Sequence, residues 1–149
     1  MAKTFFSASE QEQIIEAIRK AELNTSGEIR VHIEALCEGY PVVRAKAIFE
    51  QLGMDATALK NGVLLYLAYE SKKFALIGDS GIHEKVSQAY WEREIGLMTA
   101  RFKEGKNCEA LCLAIEDTGN QLKQYFPYQH DDSNELSNDI SFGHGGKDE

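Results

Sequence analysis

Positive charge is what this sequence has least of: 16 Lys and Arg stand against 24 Asp and Glu, for a formal net charge of -8. That balance argues against nucleic-acid binding and against anionic membrane surfaces. Cysteine is scarce too, with three residues. An odd count, in a chain that shows no basic segment followed by an apolar leader, reads as reduced thiols rather than a disulfide framework. No stretch approaches the roughly 18 consecutive apolar residues of a membrane-spanning helix. The chain of 149 residues therefore reads as soluble and cytoplasmic, with no membrane insertion, and long enough to bury one core.

What is present is organised around one apolar run, Gly62-Val63-Leu64-Leu65-Tyr66-Leu67-Ala68-Tyr69. A strand apolar at nearly every position must be covered on both faces, so this run is expected at the centre of a layered α/β domain. A second run, Lys73 to Ile77, follows after only Glu70-Ser71-Lys72. That gap suits a hairpin and is too short for a crossover helix, so the two strands should pair antiparallel.

Upstream, Ser9-Glu10-Gln11-Glu12 reads as a capping box opening a helix near 9–23, with Ile14, Ile15, Ile18 and Leu23 as its apolar stripe. Glu28 to Ala35 alternates strictly, placing Ile29, Val31 and Ile33 inward and Glu28, Arg30, His32 and Glu34 on a polar face nearer a sheet edge. Pro41 opens a second helix over about 41–53, so the first two strands form a βαβ unit and run parallel. Ile82 to Phe102 marks one long third helix with a weak point at Gly96, and a fourth helix runs from the turn at Gly105 to Pro127. Cys108 and Cys112 on that helix read as core thiols rather than metal ligands. The expected fold is an α/β sandwich of three layers over residues 1–127, a small mixed sheet covered by helices. Residues 128–149 form an acidic, mostly flexible tail.

This topology brings three loops to one sheet edge: Asn24 to Glu28, Met54 to Asn61, and Gly78 to Gly81. Their oxygen-rich side chains suit a hard cation such as calcium better than zinc, with Asp79 as principal carboxylate, Glu28 and Asn61 as co-ligands, and Asp55 as a weaker candidate. The plainer reading makes Asp79 or Ser80 a helix cap, Asn61 a turn former and Glu28 a solvated strand end. Other motifs fail on inspection. Gly78-Asp79-Ser80-Gly81 spells a trypsin-like nucleophile motif in a chain too short for two barrels. Cys37 and Arg44 stand one residue too far apart for a cysteine-phosphatase loop. Asp131 to Glu135 lacks the glycine and closing glutamate of an EF-hand. His32 reads as a partly exposed strand histidine.

Three blocks carry a family likeness: Ser26-Gly27-Glu28-Ile29-Arg30-Val31, Lys60-Asn61-Gly62-Val63-Leu64-Leu65-Tyr66, and Ile77-Gly78-Asp79-Ser80-Gly81-Ile82. Together they resemble the signature blocks of the TPM domain family, whose relatives include thylakoid lumen proteins and bacterial proteins. The resemblance implies a compact α/β sandwich with calcium or another divalent cation in its surface loops, and Glu28, Asn61 and Asp79 are the matching polar positions. The residues themselves, with no assured nucleophile and no dense carboxylate cluster to hold two metals, favour a metal-stabilised binding or scaffolding module whose partner is another protein. The alternative that the resemblance carries is a metal-assisted phosphatase acting on phosphate monoesters. This chain departs from many relatives in having Lys60, a cation, where they have aspartate.

Overall fold

The computed structural model describes residues 2–127 and 139–143. A helical turn α1 (Ala2–Phe5) leads into α2 (Ala8–Glu22), β1 (Glu28–Glu34), α3 (Pro41–Gln51), a 3-10 turn (Met54–Ala56), β2 (Gly62–Ala68) and β3 (Lys73–Gly78). Then follow α4 (Ser80–His83), α5 (Gln88–Lys103), α6 (Asn107–Tyr125) and a short β4 (Ser141–Phe142). The sheet order is β3-β2-β1-β4, with β1 parallel to both β2 and β4 and β3 antiparallel to β2.

The all-apolar run is the inner strand it was expected to be, with every residue of β2 buried. Leu65 sits on the face covered by α2, α5 and α6, within the larger core that includes Ile14, Ile18, Met98 and Leu111. Tyr66, on the opposite face, packs in a smaller core with Ala45, Ile48 and Phe49 of α3. Helices on both faces of a mixed four-stranded sheet give the α/β sandwich.

Local details correct the sequence expectations in several places. The capping box lies two residues earlier, where Ser7 Oγ accepts from the Glu10 amide (3.1 Å) and Glu10 Oε1 from the Ser7 amide (2.9 Å). Both Ser-x-x-Glu spellings occur in the sequence; the earlier one prevails and leaves Phe6 buried ahead of the helix. The long third helix is two helices, because Ser87 turns extended and caps α5 through the Tyr90 amide (3.2 Å). Gly96 is no weak point, since α5 runs through it unbroken.

β1 is not an edge strand. Residues 141–142, within the stretch read as tail, return to pair with it, His32 beside Ser141 and Ile33 beside Phe142. The polar face of β1 is accordingly not solvated: His32 and Glu34 are buried. Residues 128–138 and 144–149, including Asp131 to Glu135, lie outside the described residues.

Candidate functional site

The three loops do meet at one edge. Glu28 N donates to the Asn61 carbonyl (3.4 Å), Asp79 N donates to the Gly62 carbonyl (2.9 Å), and Asn61 Nδ2 reaches Ser26 Oγ (3.5 Å). Gly81 fits beneath the carbonyls of Leu59 and Lys60, where a Cβ would collide with both oxygens. In register, Glu28 stands beside Gly62, and the β2–β3 pairing carried one step on sets Asp79 on the other side of Gly62.

Strand alternation sends Glu28, Gly62 and Asp79 to the same face, the one under α3. Their backbones span about 10 Å, two interstrand spacings. Gly62 contributes no side chain between the two carboxylates. The space over it belongs to the Met54 carbonyl, whose oxygen would stand 3.4 Å from a Cβ placed there. Two carboxylates and a main-chain carbonyl thus share one side of the edge. Asn61, one residue earlier, turns to the opposite side toward Ser26.

The four candidates divide into two kinds. Glu28 and Asn61 are buried, at 3% and 2% exposure. Asp79 and Asp55 border a surface cleft of about 450 Å³ between α3 and α5. Asp79 caps α4 by accepting from Ser80 N through Oδ1 (2.7 Å), so the cap reading is correct as far as it goes. Its Oδ2 is buried and has no hydrogen-bond partner among the described residues, and the same holds for Thr57 Oγ1 just after the 3-10 turn. Asp55 is exposed, and its main-chain carbonyl accepts from the Lys60 ammonium. Among the described residues no three His, Cys, Asp or Glu side chains are grouped to hold a metal.

Glu22, at the end of α2, was missed by sequence reading. Its carboxylate accepts from the Ile29 amide (2.9 Å) on the side of β1 that β4 does not reach. Burial pushes the Glu22 carboxyl up to about 7, opposed by that amide and reinforced by the charge of Glu28. Glu22 and Glu28 thus lie near enough at this end of β1 for the charge of Glu28 to add to the effect of burial. Helix periodicity gives no hint of it.

A second polar cluster lies toward the other end of the same strand. Arg44 of α3 grips Glu34 with two bonds (2.9 and 2.7 Å), Tyr66 donates its hydroxyl to Glu34, and His32 Nε2 lies 3.0 Å from it. His32 Nδ1 in turn meets Ser141 Oγ of β4 at 2.8 Å. Burial alone would raise the Glu34 carboxyl; the hydrogen bonds from His32, Arg44 and Tyr66 outweigh it and hold the group down at about 2. Serine, histidine and glutamate in successive contact resemble a hydrolase triad, but here the carboxylate is also bonded by a guanidinium and a phenol, partners outside that pattern. The cluster is a structural clasp.

A model of the TPM domain matches residues 2–122. The chain belongs to the TPM domain family. Its fold matches the NMR structure of BA42 from the psychrophilic bacterium Bizionia argentinensis, with a TM-score of 0.88 and 45% identity over 95% of this chain and 97% of that one. The N-terminal domain of the cg2496 protein from Corynebacterium glutamicum shares the fold alone, at TM-score 0.63 and 15% identity over 79% of this chain and 74% of that one. No curated protein matches. No helix of this TPM domain, among the described residues, is long and apolar enough to cross a membrane.

Proposed function

We propose that this TPM domain binds one divalent cation, calcium by the hardness of its oxygens, at the sheet edge, and serves as a binding or scaffolding module for another protein. The observation that carries the reading is Asp79 Oδ2, buried and without a hydrogen-bond partner among the described residues. A buried carboxylate oxygen left in that state costs free energy that a cation would return. The residues present fit such an ion: Asp79 and Glu28 supply charge, and the Met54 carbonyl and Thr57 hydroxyl supply neutral oxygens. Asn61 would join by turning its side-chain oxygen across the edge, and Asp55 is the outermost candidate. Calcium accepts six to eight oxygens with loose geometry, so water completes the shell. Few charged ligands, together with the Lys60 ammonium on the rim, imply an affinity between about micromolar and millimolar.

The alternative, a metal-assisted phosphatase, draws less support. The helix whose N-terminus would receive the phosphate, α4, has one turn only, so its dipole is small. Aryl phosphate turnover that disappears in Asp79→Asn would nevertheless establish it.

The test of the cation reading is a thermal shift. Calcium should raise the melting temperature by mass action on the folded state. Asp79→Asn should abolish that gain while keeping the α4 cap, since asparagine caps as well as aspartate. Asp132→Asn should leave the gain intact. No shift at millimolar calcium would refute the reading, and an equal loss from Asp132→Asn would move the site to the tail.

A further inference from the structure

Among the described residues the sheet has one long open edge, β3, which pairs with β2 alone. Because Asp79 N bonds the Gly62 carbonyl and the register runs from there, the odd residues of β3 point their amides and carbonyls at β2. Phe74, Leu76 and Gly78 point theirs outward, and none of these groups is hydrogen-bonded among the described residues. Apart from Lys73 at its start the strand reads Phe-Ala-Leu-Ile-Gly, without the inward charge, proline or bulge that protects edges from pairing.

The edge lies in a groove. Ile77 and Gly78 line its floor, Val42 and Phe49 of α3 one wall, and Trp91 and Ile95 of α5 the other. Its volume of about 450 Å³ falls within the roughly 300–1,000 Å³ of small-ligand sites. Val42 is 45% exposed and Ile95 36%, so the walls present apolar surface to solvent. Helices standing on both sides hold off the flat edge of another sheet, whereas a single extended segment enters. The charges are polarised along the strand. Glu50, Asp55 and Asp79 border the groove toward Gly78, against Lys46 alone, while Lys72 and Lys103 border a second cleft at the Phe74 end.

We propose that the outer edge of β3 docks an extended peptide segment of a partner protein, added antiparallel as a fifth strand. Its cationic side chain lies at its N-terminal end, against Asp55 and Asp79, and its acidic one at its C-terminal end, against Lys72 and Lys103. The backbone groups of Phe74, Leu76 and Gly78 supply affinity, and the two apolar walls read alternate side chains. The charge polarity sets direction, because the antiparallel strand begins where β3 ends. The proposal rests on the binding-module half of the function proposed above; because Asp55 and Asp79 are also the proposed cation ligands, it is tested with the cation removed.

The probe is the N-acetylated, C-amidated heptapeptide Lys-Val-Thr-Ile-Thr-Val-Glu, titrated in EDTA while protein amides are followed by NMR. Saturable shifts should centre on Phe74, Leu76 and Gly78, whose amide exchange should slow. Exchanging the terminal Lys and Glu, or making Ile95→Asp on the exposed wall, should each weaken binding about tenfold or more. Because Ile95 is exposed, that variant should keep the parent melting temperature. Three results would overturn the proposal: no binding at millimolar peptide, shifts centred elsewhere, or indifference to both changes. Concentration-dependent protection of the same amides without peptide would also overturn it, in favour of a second copy of this chain. Working in EDTA keeps these outcomes separate from failure of the calcium test.

Discussion

β1 carries a polar cluster at each end, and the two are built on opposite terms. At its C-terminal end Glu34 has both oxygens engaged, by Arg44, Tyr66 and His32. At its N-terminal end Asp79 Oδ2 and Thr57 Oγ1 are buried with no hydrogen-bond partner among the described residues, and the Glu22 carboxyl is pushed upward by burial and by its neighbour Glu28. Both regions hold carboxylates out of water. One has been completed from within the chain and so reads as structure; the other is incomplete and so reads as receptive. Satisfaction of the buried oxygens, rather than the presence of acidic residues, separates a clasp from a candidate site.

The sharpest way to break the contrast is Glu34→Ala. It strands a guanidinium, a phenol and an imidazole together, and should cost about 3–5 kcal/mol in denaturant unfolding. A cost below 1 kcal/mol would show that the clasp is decorative. The next test is pH. The Glu34 carboxyl is held at about 2 against an ordinary 4.5, so the clasp's contribution is present above about 4.5 and lost as pH falls toward 2.

Glu22 behaves in the opposite sense. Raised to about 7, it holds its proton longer folded than unfolded, so the edge loses stability as pH rises from about 4.5 to 7. Glu22→Gln should reduce that second slope in melting curves, with Glu94, which burial and Asp117 also raise to about 7, supplying the remainder, and should leave the acid limb unchanged. A smaller effect belongs to Ser141→Ala, which removes one neutral hydrogen bond to His32 and should cost about 1 kcal/mol. Smallest of all, Asp79→Asn should alter unfolding without calcium by only a few tenths of a kcal/mol, since the cap survives. A loss comparable to that of Glu34→Ala would mean that the edge, too, is structure.

The readable parts of this chain were those where a single local pattern decides. An apolar run of strand length reads as an inner strand, and three polar residues between two such runs read as a hairpin loop, which the structure lengthens to the four residues 69–72. Those two patterns, with the helix opened by Pro41, are enough to bring the three loops to one edge. The clasp was not legible, because alternating polar residues spell a solvated face unless something covers it. Its one clue was Tyr66: a tyrosine inside a fully apolar strand needs a partner for its hydroxyl, and that partner must be buried with it. β4 was illegible for a different reason, since two residues in an acidic stretch carry no periodicity. The break before α5 was lost because Ser87 sits where a helix face would tolerate serine. At the sheet edge the neighbourhood is legible and the orientation is not, because Asn61 turns away from the side that Glu28 and Asp79 share.

The return of Ser141 to His32 joins positions 109 apart in the chain. During synthesis at about 5–20 residues per second, roughly 5–20 s separate the appearance of the two partners. Through that interval β1 is already able to pair with β2, while its other flank is bare. The last of the four strands to be made therefore covers the open flank of the first. A nascent chain that stalls after α6 would present two open flanks instead of one, and crowded ribosomes on one message would bring such flanks together. The serine, modest as a bond, belongs to the segment that closes this flank of β1.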